Sequence, residues 1–91
     1  MYLFGKVVNN DGSSSDDVVT LITDIHENEN GLIFTASSYH DKYADITVGL
    51  TIPFWAQNYF CPASGKDNIE TAYAYLLTLD DFSGTELKVV V

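Results

Sequence analysis

The stretch VVTLITDIHENENGLIFTASSY, Val18 to Tyr39, decides the fold. Two runs rich in β-branched and apolar residues, Val18 to His26 and Leu32 to Tyr39, flank Asn30-Gly31, a dipeptide suited to the two positive φ angles of a type I′ hairpin turn. That turn predicts a register with Glu29 opposite Leu32, Ile25 opposite Ala36 and Asp24 opposite Ser37. One face then collects Val19, Leu21, Ile25, Leu32, Phe34 and Ala36, and the other Asp24, His26, Thr35 and Ser37. The first of these is the expected core face.

Working outward toward the N-terminus, Asn9 to Asp17 consists of residues that favour turns or local side-chain bonding, and Tyr2 to Val8 before it reads as a strand. On the other side, Asp45 to Trp55 alternates Ile46, Val48, Leu50, Ile52 and Phe54 with Thr47, Gly49, Thr51, Pro53 and Trp55. That period predicts a half-buried strand, with Pro53 placing its end at an edge or outside the sheet, and with a loop over Gln57 to Lys66 after it. From Ile69 the period becomes helical: Ile69, Ala72, Tyr73, Leu76, Leu77 and Leu79 share a stripe. Asp67 as N-cap with Glu70 three residues on marks the helix start, and Asp80 would interrupt the stripe, so Leu79 is the expected end. Phe82-Ser83-Gly84 then turns the chain into a last strand, Glu86 to Val91. The expected architecture is α+β: two layers, a mostly antiparallel sheet of about five strands in the order β-β-β-β-α-β, with one helix on its apolar face.

The length of 91 residues fits one domain spanning 1–91, and 46% hydrophobic with 13% aromatic residues is too rich in core formers for disorder. Thirteen acidic residues face four lysines, with no arginine and a net charge of −9, which removes the usual anchors for nucleic acid and anionic membrane. No apolar run approaches the ~20 residues of a membrane-spanning helix. A single cysteine, Cys61, and a start without the charged and long apolar regions of a secretory signal favour a reducing cytoplasm.

Several constellations invite a chemical reading. Asp24, His26 and Ser37 resemble a triad, but a regular strand commits its N–H groups to the ladder and leaves none for an oxyanion hole. Asp11 to Asp17 spaces oxygen ligands as a calcium loop does, yet Asp16 stands where a glycine is wanted and Ile22 where a bidentate glutamate is wanted. One cysteine and two histidines, His26 and His40, lack paired zinc spacing. Cys61 before Pro62 reads as an incidental apolar thiol. No cofactor, metal or catalytic residue is expected.

The expected contact residues are Trp55, Tyr59 and Phe60, aromatics gathered at a strand end with Trp55 pointing outward, together with Asp80, Asp81 and Glu86. Asp80 and Asp81 oppose the helix macrodipole at its C-terminal end, which suggests a surface made for a basic partner. A chain this small, acidic and arginine-free resembles in style the accessory proteins of phages and prophages, although no motif places it in a family. The expected function is a non-enzymatic protein-binding module, an inhibitor or assembly factor, which meets a protein with a basic surface and binds neither nucleic acid nor membrane directly. The alternatives are a DNA mimic that occupies the basic groove of a nucleic-acid-binding protein, and a small metal-dependent hydrolase built on His26, His40 and the acids. A homodimer is also expected, because five strands span ~19 Å and one helix covers only ~10–12 Å of that width.

Overall fold

The structure is a computed structural model that describes residues 1–9 and 12–90. Five strands, β1 (Tyr2–Val8), β2 (Ser14–Asn28), β3 (Gly31–Tyr39), β4 (Trp55–Cys61) and β5 (Gly84–Lys88), form one sheet in the order β4-β3-β2-β1-β5. Every neighbouring pair is antiparallel. The helix α1 (Asn68–Leu77) lies in the connection that carries the chain from one edge, β4, to the other, β5. The two-layer α+β architecture and the order of strands and helix are as expected, but the fourth strand is a different segment.

The expected strand Asp45 to Trp55 does not form, and only its last residue, Trp55, belongs to a strand. After a 3-10 turn at Tyr43–Asp45, the chain folds tightly on itself: the Leu50 and Thr51 N–H groups both donate to the Thr47 carbonyl, and the Thr47 N–H donates to Thr51 Oγ1 at 2.8 Å. Gly49 sits inside this turn at φ +92°, a conformation that reverses the chain and that residues with a Cβ rarely adopt. The strand begins at Trp55 and runs through Gln57 to Cys61, where a loop was expected. There Trp55, Gln57, Tyr59 and Cys61 turn toward α1, and Ala56, Asn58 and Phe60 turn away.

The hairpin turn forms one residue earlier than predicted, over Glu29-Asn30, so that Leu32 pairs with Glu27 instead of Glu29. Asn28 pairs with Gly31, and Asn28 Oδ1 accepts from the N–H groups of Asn30 and Gly31, which closes the turn without positive φ at Glu29 or Asn30. Gly31 serves another need. At φ +143° a Cβ there would lie 2.5 Å from the Cys61 carbonyl oxygen, so only glycine lets β3 start this close to β4.

A bulge at Thr23 changes the faces of β2. Ile25 pairs with Phe34, but beyond the bulge Ile22 pairs with Ala36 and Leu21 with Ser37. Val18, Thr20, Ile22 and Ile25 therefore face α1, and Val19 and Leu21, expected beside Ile25, face the other way. They join Tyr39 in a second small cluster with Tyr2, Tyr43 and Ile46 on the far side of the sheet. The Tyr73 hydroxyl, from α1, accepts from the Ile22 N–H at 3.0 Å and donates to the Met1 carbonyl at 3.1 Å. One helical side chain thus holds the bulge and the N-terminus together.

The main core lies between the sheet and α1: Leu3, Val7, Val18, Leu32, Phe34, Ala36 and Cys61 meet Ala72, Tyr73, Leu76 and Phe82. Asp67 Oδ1 caps the helix by accepting from the Glu70 N–H, and the helix ends at Leu77, before the expected Leu79. The chain tightens into a 3-10 turn, Asp80–Phe82, which inserts Phe82 against Trp55 and Tyr59. This turn covers the part of the apolar face that one helix leaves bare. The last strand runs Gly84–Lys88 rather than Glu86 to Val91, and Val91 lies outside the described residues.

Candidate functional site

The expected contact residues do not form one surface. Trp55 and Tyr59 are partly buried, with rings near Phe82 at centroid distances of 6.1 and 6.2 Å, so Trp55 points inward where outward was expected. Phe60 points the other way and is half exposed. Asp81, on the 3-10 turn, reaches the surroundings of Tyr59: burial first, then the Asp81 carboxylate and Tyr75, push the Tyr59 phenol up to about 12. Asp80 beside it is exposed. Glu86 belongs to β5 at the opposite edge, on the face away from α1, where it pairs with Lys88 at 3.0 Å.

The groups weighed for chemistry are also separated. Asp24 and His26 meet at 3.1 Å on an exposed face, but the Ser37 hydroxyl bonds Thr23 Oγ1 at 2.9 Å, and His26 pairs with Ile33, four residues along β3 from Ser37. His40 stacks on Phe54 with ring centroids 3.9 Å apart. Cys61 is buried under Gly31 and the core, and burial pushes its thiol up, away from the reactive thiolate. Asp16 and Asp17 lie in the bulged start of β2, and Asp11 of the same loop lies outside the described residues. Among the described residues no three His, Cys, Asp or Glu side chains gather as a metal site would require, and no helix is long and apolar enough to cross a membrane.

What the structure does gather is apolar surface on one flank. From Ile46 to Gly65 the chain carries no charged residue of either sign, in a molecule of net charge −9. This run supplies both the folded loop and β4. The loop lies over the face of the sheet away from α1, and Thr23, Ser37, Tyr39 and residues 48–53 line a cleft of about 400 Å³ between them. Beyond Ile46, which packs on the sheet, its apolar side chains Leu50 and Ile52 point outward instead of down and are 80% and 86% exposed. On the same face, farther along β3 and β4, Phe60 pairs across the ladder with Ile33, and both are more than two-fifths exposed. The charge-free run is legible in the sequence, but the Ile33–Phe60 pair depends on a strand and a register that the alternation of Ile46 to Phe54 concealed. No family model, curated protein or solved structure matches the chain.

Proposed function

We propose that this chain is a non-enzymatic protein-contact module, closer to an assembly factor than to an inhibitor of an active site, and that its working surface is the charge-free flank of the Ile46–Phe54 loop and β4. The carrying observation is the exposure of Leu50 and Ile52 on a turn that hydrogen bonds hold in shape. Fully burying one such side chain is worth about 1.5–3 kcal/mol, which an isolated molecule forgoes twice here. Apolar side chains displayed on an ordered element, with no charge among them, match the depletion of charge at the centre of protein interfaces. The acidic groups elsewhere keep the remaining surface soluble and bias encounters by charge.

The test is the double substitution Leu50→Asp with Ile52→Asp. Because both side chains already sit in solvent, the unfolding free energy should change by less than about 0.5 kcal/mol per site, while apolar-dye binding by the dilute chain and its association with protein should both be lost. A strongly destabilised variant would make these residues structural. Unchanged dye binding and association would place the contact surface elsewhere.

A further inference from the structure

We infer that β4 is the pairing edge of a symmetric dimer, in which two copies of this chain join β4 to β4 antiparallel, centred on Asn58, into one continuous sheet. This rests on the reading of the same flank as a contact surface and names its occupant. The first observation is the edge itself. β4 is an end strand of the sheet and carries no charge and no proline among Trp55–Cys61, which are the usual devices against edge-to-edge pairing. Pro53 and Pro62 stand just outside it and bound the free ladder to these residues.

The second observation is charge. Neither β3 nor β4 contains a charged residue, so the nearest charged side chains within the sheet lie on β2, roughly 10 Å from β4 at ~4.8 Å per strand. That is about one Debye length at 0.1 M salt. Asp81 lies on the helix side, beside Tyr59. A partner chosen by opposite charge would be drawn to the acidic remainder of the molecule. A second copy, which repels this one by its own net charge of −9, is accommodated best along the edge where charge is missing.

The third observation is the fit that the register gives. A dyad at Asn58, the middle of β4, keeps both helices on one side of the joined sheet and sets Ala56 opposite Phe60 of the second copy on the far face. A large exposed ring then faces a small exposed residue twice over, close to the apolar loop that leads into Trp55. On the helix side the same register puts Gln57 beside Tyr59 of the second copy. Gln57 Oε1 and the Tyr59 hydroxyl are buried side-chain oxygens without a partner within the described chain.

Sedimentation equilibrium, run with the disulfide trapping of Asn58→Cys, tests this. The wild-type chain should weigh two 10.1 kDa units and associate more tightly as salt is added, because salt screens like charge. Directly opposite antiparallel residues lie ~4.5–5.5 Å apart, within disulfide reach, so mild oxidation should link Asn58→Cys to itself and leave Glu86→Cys, on the opposite edge, without a covalent link between copies. Asn58→Lys, which places two like charges at the dyad and removes only an exposed bond from Thr35, should weaken association roughly tenfold or more with an unchanged circular dichroism spectrum. A dimer that Asn58→Lys leaves intact and Asn58→Cys does not link would overturn the proposal. So would a monomer, in two distinguishable ways: one that binds apolar dye through Leu50 and Ile52 refutes the dimer and keeps the contact surface, and one that binds no dye refutes both.

Discussion

β4 and β5 both end the sheet, and both leave one side of their backbone ladder unpaired within the described chain, yet their chemistry differs. β5 is five residues long and carries Glu86 and Lys88, paired at 3.0 Å on the solvent face. β4 is seven residues long, is framed by prolines and has no charge. Short charged edges resist pairing with another chain, whereas longer uncharged ones invite it. Within one sheet the sequence protects one edge and leaves the other open. In an acidic molecule, an omission of charge as long as Ile46 to Gly65 marks surface as clearly as a cluster of charge does.

The largest expected effect breaks the link between the two edges. Phe82 is fully buried and seats Trp55 and Tyr59 of β4 just before the chain enters β5. Phe82→Ala should cost about 3–5 kcal/mol in urea denaturation, a large fraction of the stability of so small a domain. A loss below about 1 kcal/mol would mean that the turn is not what holds β4 to the core. Next comes Tyr73→Phe, remote from both edges. It strips a partner from the Ile22 N–H at the bulge and from the Met1 carbonyl, and should cost about 1–3 kcal/mol in the same assay without altering association. Changed association would show that the edges are coupled through the middle of the sheet.

What the sequence made legible followed the strength of its local signals. Tyr2 to Val8, the Asp67 cap and the stripe of Ala72, Tyr73 and Leu76 needed no tertiary information. The Ile46 to Phe54 alternation misled because Gly49 and the Thr47–Thr51 bonds satisfy that backbone locally, so its apolar period has no ladder to serve. β4 was hidden for the converse reason. Its inward positions include Gln57, and its outward ones Phe60, which blurs the period of a half-buried strand. The Thr23 bulge has no residue signature, and it alone moves Val19 and Leu21 to the other face. Of the candidate site, the uncharged run was readable, whereas its partners on β3 required the register.

A smaller effect separates the edges by pH. The Tyr59 phenol ionises near 12 in the folded chain and near its ordinary value of 10.0 when unfolded, because burial and the Asp81 charge oppose the phenolate. Between these values the unfolded state loses its proton first, so the stability present below pH 10.0 declines as the pH rises toward about 12. Tyr59→Phe should flatten that decline in denaturation curves taken across the window, and an unchanged slope would mean that the phenol is not buried against the core as described. The smallest effect belongs to β5: Glu86→Ala breaks only an exposed ion pair and should shift stability by less than about 0.5 kcal/mol and association not at all. Weakened association would move the interface to the protected edge.

Backbone hydrogen exchange, followed at protein concentrations below and above the dimer dissociation constant, measures both edges in one sample. The outward-facing amides of β4 should gain protection as concentration rises, while those of β5 should exchange at the same fast rate throughout. Equal, concentration-independent exchange along β4 and β5 would contradict the claim that the chain keeps one edge open for a second copy of itself.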